Sequence, residues 1–351
     1  MKPKILPRKE ILQMHYRAMP QGRAGKLRLD FNENTAGCSP TVRAALRALS
    51  REQIGMYPEY EATRAHMAKY FRVAPEETIL NNGVDDGLKL VFDCFVEPGT
   101  SVFLVEPTFD MYRFYSALHG ARVISERLDA ELRVPMENVQ RALRRHKPRV
   151  FLLANPNNPT GTLLSRNELK RILDAAPRTL VVVDEAYAEF SGVTVLPWIR
   201  RYANLVVTRT FSKVMGLAGL RFGCLFANRA LAAEMRKGQS PFPVNTAALV
   251  AAEAALRDAA HMRRTVAEVL RGRRLLENAL RRLGARVYPS GGNFLLADFG
   301  NRAPRLVRAL ERQGILLRDR RRDFDRPGFI RITAGTRAQM RRLIRALELQ
   351  W

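Results

Sequence analysis

The sequence is poor in the residues that build metal sites and disulfide frameworks. Its three cysteines, Cys38, Cys94 and Cys224, are scattered without a CxxC pair, and its five histidines are dispersed. An odd number of isolated cysteines is typical of reduced thiols in a cytosolic protein. Because no His or Cys stands at metal-ligand spacing from another, we expect no structural or catalytic metal.

Long apolar runs are also missing. No stretch reaches the roughly 18 uninterrupted apolar residues that would indicate a membrane span. The N-terminal sequence MKPKILPRKEILQMHYRAMPQG is charged and interrupted by prolines, and it lacks the apolar centre of a secretory signal. We therefore expect a cytoplasmic protein with no membrane partner.

Acidic residues are scarce beside basic ones. The 59 Lys and Arg exceed the 34 Asp and Glu, which gives a formal net charge of +25. Such a balance can indicate nucleic-acid binding. However, the basic residues are spread along amphipathic stretches such as ENALRRLGARV, only RDRRRD from residue 318 is dense, and no recognition motif accompanies them. We interpret the charge as solvated helix faces and expect no nucleic-acid partner.

The order of apolar runs predicts the fold. With 351 residues and 46% hydrophobic content, the chain is long enough for a large and a smaller domain. Seven strand candidates alternate with helical patterns between residues 78 and 240: ETIL, SVFLVE, ARVISE, RVFLLAN, TLVVVDEAY, NLVVTRT and RFGCLFA. This alternation predicts an α/β domain whose mostly parallel sheet is sandwiched by helices. We expect an arm over 1–35 that joins the small domain, the large α/β domain over 36–245, and a small α+β C-terminal domain over 246–351.

Three segments contain residue types suited to cofactor chemistry. TRTFSKVMGLAGLRFG (208–223) has Lys213 in a turn after an apolar strand, with Arg221 in a glycine-rich stretch. A lysine that forms a Schiff base needs a desolvated, cationic neighbourhood, and an arginine fork can hold a phosphate. TLVVVDEAYAEF places Asp184 at the carboxyl end of a strand, where open α/β folds bind ligands. NPNNPTG (155–161) follows another strand. Taken singly, Lys213 is better explained as a surface lysine, Asp184 equally well as a helix cap, and NPNNPTG as a plain turn.

Together and in this order, the three segments resemble the fold-type I pyridoxal-5′-phosphate (PLP) enzymes of aminotransferase class I/II, and most of all the histidinol-phosphate aminotransferase family. The resemblance runs from LDFNEN (29–34) to FIRITAGT (329–336). It implies a homodimeric, PLP-dependent aminotransferase of histidine biosynthesis. It also implies a ping-pong reaction in which L-histidinol phosphate and 2-oxoglutarate yield imidazole acetol phosphate and L-glutamate.

The resemblance implies a role for each residue that matches a family motif. Lys213 would be the Schiff-base lysine and acid/base, Asp184 would pair with the pyridine nitrogen, and Tyr187 and Asn157 would bind the phenolic oxygen. The cofactor phosphate would be held by Arg221, Ser212, the loop residues Gly83, Val84 and Asp85, and Tyr57 of the neighbouring subunit. Phe109 would stack on the ring, with Tyr112 as the alternative. The substrate would contact Arg331, which would clamp a carboxylate, and Asn32 and Arg318.

The chain departs from the family pattern at two places. Thr35-Ala36-Gly37 stands where the family commonly has Pro-Tyr-Gly, and Val84 stands where a small hydroxyl residue is typical. Both changes leave the substrate open. An aromatic or other amino acid aminotransferase and a PLP-dependent decarboxylase of a phosphorylated amino acid would use the same lysine, aspartate and arginines. A PLP-binding transcription regulator is disfavoured, because its DNA-binding domain would have to precede the motifs that start near residue 29.

Overall fold

The computed structural model describes residues 5–16 and 18–351. The strands of the described residues are β1 (Leu27–Arg28), β2 (Thr78–Asn81), β3 (Ser101–Glu106), β4 (Arg122–Arg127), β5 (Val150–Ala154), β6 (Leu180–Asp184), β7 (Leu205–Thr210), β8 (Gly223–Phe226), β9 (Arg286–Val287), β10 (Phe294–Asp298), β11 (Ile315–Leu316), β12 (Arg318–Asp319) and β13 (Phe329–Thr333). The helices are α1 (Lys9–Leu12), α2 (Pro40–Arg47), α3 (Arg51–Gly55), α4 (Glu61–Phe71), α5 (Gly83–Phe95), α6 (Asp110–Leu118), α7 (Met136–His146), α8 (Arg166–Ala175), α9 (Ala188–Ser191), α10 (Arg229–Lys237), α11 (Thr246–Arg257), α12 (Ala259–Arg282), α13 (Ala303–Arg312), α14 (Arg321–Phe324) and α15 (Arg337–Glu348).

Seven strands form the large sheet, in the order β2-β8-β7-β6-β5-β3-β4. Six of them run in the same direction, and β8 runs antiparallel to both of its neighbours, β2 and β7. All seven strands fall on the predicted apolar runs, so the predicted mostly parallel α/β sheet is confirmed. The residues of β5 and β6 are buried throughout, as expected for strands covered on both faces.

Helices cover both faces of this sheet. One buried cluster joins it to residues of α2, α4, α7, α8 and α11. A second cluster, on the other face, joins it to α5, α6 and α10. Local signals fix several helix starts: the side chain of Ser39 caps α2 with Pro40 in the first turn, and Ser165 and Glu168 form a capping box on α8.

The C-terminal part of the chain builds a second, smaller core. Its four-stranded sheet has the order β12-β13-β10-β9 and is antiparallel, and α12, α13 and α15 contribute apolar residues to the same core. The strand β1 pairs with β11, and Leu27 and Leu29 are buried in this core. The N-terminal segment therefore packs with the C-terminal unit. By contrast, α11 buries its apolar face in the core of the large sheet, although it lies beyond residue 245.

Four parallel strands, β3, β5, β6 and β7, end at one edge of the large sheet. The segments that follow them begin with Pro107, Asn155, Glu185 and Phe211. The residues singled out in the sequence thus reach the same place in space. Within the described ranges, no helix has the length and apolar character needed to cross a membrane.

Candidate active site

A cavity of about 650 Å³ opens at this edge, between the large sheet and the C-terminal unit. Eleven of the residues predicted from the sequence line it: Asn32, Val84, Asp85, Phe109, Asp184, Tyr187, Ser212, Lys213, Arg221, Arg318 and Arg331. The chain therefore brings predicted residues as far apart in sequence as Asn32 and Arg331 together in one cavity. Gly83, Asn157 and Tyr57 are not in its lining.

Asp184, the last residue of β6, is a buried carboxylate held by neutral donors. The hydroxyl of Thr208 donates to Oδ1 at 2.7 Å, and the backbone N–H of Ala186 donates to the same oxygen at 3.2 Å. The hydroxyl of Tyr112 donates to Oδ2 at 3.0 Å. Burial raises the pKa of Asp184, and the hydrogen bonds from Thr208 and Tyr112 oppose that rise. A cationic partner in the cavity would favour the charged form further.

Lys213 lies in the turn that follows β7, with its amine inside the cavity. Its Nζ donates to the backbone oxygen of Phe31 at 3.1 Å and lies 5.9 Å from the centre of the Tyr187 ring. Desolvation, reinforced by the nearby Arg331 cation, lowers the pKa of Lys213 to about 8. At pH 7 roughly a tenth of its amine is therefore neutral, and so nucleophilic, far more than at the ordinary lysine pKa of 10.5.

Tyr187 and Asn32 form a buried pair beside this lysine. The side-chain amide of Asn32 donates to the hydroxyl oxygen of Tyr187 at 2.9 Å. The backbone N–H of Asn32 donates to the hydroxyl of Thr333 on β13 at 3.0 Å. These contacts connect the N-terminal segment, the large sheet and the C-terminal unit. Burial raises the pKa of Tyr187, so its phenol stays protonated and can donate a hydrogen bond into the cavity.

One end of the cavity has the features of a phosphate site. The guanidinium of Arg221 lies so close to Gly83 that a Cβ at position 83 would meet its Nη2 at 2.5 Å. Gly83 also has φ +79°, which side chains disfavour, and it begins α5. The N-terminus of α5 directs backbone N–H groups to this point, where an anion is favourable. The carboxylate of Asp85 lies 3.1 Å from Arg221.

The other end of the cavity contains two guanidinium groups without carboxylate partners. Arg331 and Arg318 lie opposite each other on β13 and β12. Arg331 is buried, and it donates to the side-chain oxygen of Asn158 and to the backbone oxygen of Asp30. Its Nε has no hydrogen-bond partner among the described residues. Burial lowers the pKa of Arg331 to about 10. Two adjacent cations without an ion-pair partner in the described chain make this end a receptor for an anion.

Two further arginines at this end were not predicted as site residues. Arg23 pairs with Asp30 at 2.6 Å and with Glu33 at 3.2 Å, and its guanidinium lies 4.2 Å from the centre of the Phe31 ring. The second, Arg320, pairs with Asp110 and Asp323. The sequence had suggested that the basic residues are solvated. Arg320 is buried, so this interpretation does not hold for the whole RDRRRD segment. The position of Arg320 two residues after Arg318, just beyond the end of β12, was the available signal.

The expectation for Asn157 needs correction. Its amide donates to Pro107 O at 2.9 Å and to Thr160 Oγ1 at 2.8 Å, and its oxygen accepts from Thr108 at 2.8 Å. The side chain therefore holds the loops after β3 and β5 together and does not reach the cavity. The next residue, Asn158, lines the cavity and contacts Arg331. Both asparagines belong to the NPNNPTG motif, and the motif alone does not tell which of them faces the ligand.

The aromatic residues occupy different positions. Phe109 lines the cavity at the N-terminus of α6. Ala186 also lines the cavity, although the sequence did not single it out. Tyr112, the weaker stacking candidate, packs edge-on to Phe109 and directs its hydroxyl to Asp184. Tyr57 is 76% exposed and stacks on Phe242, with 4.1 Å between the ring centres. It lies outside the cavity of its own chain.

The chain is similar to known aminotransferases over most of its length. The family model described as aminotransferase class I and II matches residues 24–347. A histidinol-phosphate aminotransferase of Roseiflexus castenholzii is 38% identical, with 92% of this chain and 89% of that protein covered. One of Symbiobacterium thermophilum is 37% identical, with 92% and 90% covered.

The fold is also found in a solved structure. That of histidinol-phosphate aminotransferase from Sinorhizobium meliloti in complex with pyridoxal-5′-phosphate matches with a TM-score of 0.88 at 24% identity, covering 99% of this chain and 98% of that one. This likeness shows the shared architecture, and the sequence relatives and the family model show the kinship. The chain therefore belongs to the class I and II aminotransferase family, in the branch that includes the histidinol-phosphate aminotransferases.

Proposed function

We propose that this aminotransferase uses PLP to move the amino group of L-histidinol phosphate to 2-oxoglutarate. The observation that carries the proposal is the pair Arg318 and Arg331, two adjacent guanidinium groups without a carboxylate partner in the described chain. A dianionic phosphate monoester suits such a pair better than a single carboxylate. The relatives that match most of the chain are named for this substrate.

The residues of the cavity fit PLP at three points. Because residue 83 is a glycine, the space beside the Arg221 guanidinium is not taken up by a Cβ. This space, at the N-terminus of a helix, suits a phosphate. Asp184 lines the cavity, and its oxygen Oδ2 accepts one hydrogen bond in the described structure and can accept another. Lys213 presents an amine whose pKa is lowered to about 8. These three groups would hold the phosphate, the pyridine nitrogen and the aldehyde of one molecule.

Bound PLP supplies an electron sink that stabilises negative charge at the substrate Cα. Asp184 would keep the pyridine nitrogen protonated, which strengthens that sink. The amine of Lys213 would take the proton from the substrate Cα and hold it for return, because it lies in the same cavity as Tyr187 and the substrate arginines. Tyr187 and Asn158 would orient the ring through its phenolic oxygen. Phe109 and Ala186 would hold its two faces.

The substrate end would receive the anionic group of either substrate. Arg331, fixed by Asn158 and by the backbone of Asp30, has a defined orientation, and Arg318 stacks over Phe31 with 5.4 Å to the ring centre. Both guanidinium groups would bind the phosphate of L-histidinol phosphate. In the second half of the reaction, Arg331 would clamp the carboxylate of 2-oxoglutarate. Asn32 would remain a support, because its amide is bonded to Tyr187.

The first prediction concerns the substrate. The enzyme loaded with PLP should convert L-histidinol phosphate with 2-oxoglutarate faster than it converts L-phenylalanine, and it should release no CO2 from O-phospho-L-threonine. Arg318→Gln should raise the KM for L-histidinol phosphate roughly ten-fold or more, since a charge-assisted hydrogen bond is worth about 1.5–3 kcal/mol. Its effect on L-glutamate should be smaller. Arg308→Gln, on the exposed face of α13, is the matched control.

Conversion of L-phenylalanine alone would replace the proposed substrate with an aromatic amino acid. Release of CO2 without amino transfer would identify a decarboxylase. An Arg318→Gln variant with an unchanged KM for L-histidinol phosphate would remove this arginine from the phosphate site.

The second prediction concerns the protonation of Lys213. Because its pKa is lowered from 10.5 to about 8, its labelling by trinitrobenzenesulfonate in the cofactor-free protein should rise with pH around 8 and level off above. Arg331→Gln removes a neighbouring positive charge and should shift the midpoint to higher pH. Arg341→Gln, on the exposed side of α15, should not shift it. Peptide mapping would follow Lys213 separately from the other lysines, and a midpoint near 10.5 in the unaltered protein would contradict the account.

We also propose that the chain acts as a homodimer. Four large apolar side chains, Ile54, Met56, Tyr57 and Phe242, are exposed together around one groove. Contiguous exposed apolar surface of this kind marks protein interfaces. Asn82, which precedes the proposed phosphate loop, borders the same groove. A second copy seated there would bring its own Tyr57 close to this chain's phosphate end.

The third prediction tests this arrangement. Phe242→Asp places a charge in the apolar groove and should convert a dimer into monomers in sedimentation velocity, with weaker PLP binding. Leu349→Asp alters an apolar residue of the C-terminal unit that is even more exposed than Phe242, and it should leave the dimer intact. A wild-type protein that sediments as a monomer at micromolar concentration would refute the proposal.

A further inference from the structure

We propose that Tyr112 is a positioning residue for the transfer reaction, whose hydroxyl keeps Asp184 anionic and turned toward the pyridine nitrogen of PLP. The inference rests on the proposed function, because it assigns Asp184 to that nitrogen. It gives the fully buried phenol of Tyr112 a role different from ring stacking.

The hydrogen-bond geometry around Asp184 is the basis of the proposal. A carboxylate offers about four acceptor positions, two on each oxygen. Oδ1 accepts from Thr208 and from the N–H of Ala186, and Oδ2 accepts from Tyr112 at 3.0 Å. One position on Oδ2 is therefore left within the described structure. Since Asp184 lines the cavity, that position suits a donor inside it.

The charge of Asp184 depends on these neutral donors. No arginine or lysine of the described chain forms an ion pair with it, although it is buried at the end of β6. The titratable groups that face it are Tyr112, Tyr187, Asp85 and Lys213, and the negative charge of Asp85 opposes its ionisation. A phenol is a stronger donor than an aliphatic hydroxyl. Removal of the Tyr112 hydroxyl would therefore shift a shared proton from the pyridine nitrogen toward Asp184.

Tyr112 also links Asp184 to the proposed stacking residue. It lies one turn after Phe109 in α6, and the two rings pack edge-to-face with 5.6 Å between centres. The N-terminus of α6 is thus fixed to the end of β6 by one hydrogen bond. Tyr112 would therefore position the Phe109 ring that stacks on PLP. It would also direct the Asp184 carboxylate toward the pyridine nitrogen.

The test uses the full-length protein loaded with nitrogen-15-labelled PLP. In the wild type, the pyridine nitrogen should give the chemical shift of the protonated form at neutral pH. Tyr112→Phe should move this shift toward the unprotonated form and weaken PLP binding roughly ten-fold or more, as expected for a lost hydrogen bond to a charged group. Tyr115→Phe removes a hydroxyl from a buried side chain one turn further along α6, which packs on Phe92, and should change neither quantity.

A Tyr112→Phe protein with the wild-type nitrogen shift and PLP affinity would overturn the role of Tyr112. A wild type whose nitrogen is unprotonated would instead overturn the assignment of Asp184 and with it this part of the proposed function. If Tyr112→Phe does not fold, 3-fluorotyrosine at position 112 preserves the hydroxyl. Its fluorine-19 signal should move in Asp184→Asn and on addition of PLP, and a signal unaffected by both would refute the proposal.

Discussion

The parallel direction of β3, β5, β6 and β7 is the constraint on which the rest of this molecule depends. Because these strands run the same way, the segments that follow them start at one edge of the sheet, whatever their separation in sequence. Phe109, Asn158 and Lys213 come from three such segments, and Asp184 is the last residue of β6 itself. The buried apolar strands form the rigid interior of the sheet. The polar residues of the candidate active site lie at its edge. The C-terminal unit then closes the cavity with β12 and β13.

Charge is distributed unevenly across this cavity. Asp184 is stabilised by neutral donors, whereas Arg221 is paired with Asp85. Arg23 and Arg320 have carboxylate partners, whereas Arg318 and Arg331 have none in the described chain. Desolvated charges without partners are unfavourable, so the buried Arg331 and the half-buried Arg318 raise the free energy of the empty site and make it receptive to an anion. Desolvation, together with the charge of Arg331, lowers the pKa of Lys213.

Much of this arrangement could be predicted from the sequence. Continuous apolar runs located all seven strands of the large sheet, because strands covered on both faces need no polar alternation. Motif spacing located Lys213, Asp184 and Arg221 in one cavity. The sequence failed where neighbouring residues of the same type differ only in orientation: Asn157 holds two loops together, and Asn158 faces the cavity.

Contacts between distant segments were also beyond sequence reasoning. Arg320 reaches Asp110 across 210 positions, and Arg23 approaches the cavity only because β1 pairs with β11. Likewise, the partner of Tyr112 follows from the packing of α6 beside β6 and not from spacing.

The central claim is that Lys213 performs amino transfer from L-histidinol phosphate. A single-turnover experiment tests it most directly, with wild type and Lys213→Ala each mixed with PLP and then with one equivalent of L-histidinol phosphate. The account predicts that the wild type gains a visible absorbance band with PLP, loses it on adding the substrate, and yields pyridoxamine phosphate and the oxo product in equal amounts, whereas Lys213→Ala yields neither product. Formation of pyridoxamine phosphate by Lys213→Ala at the wild-type rate, or no band in the wild type, would contradict it.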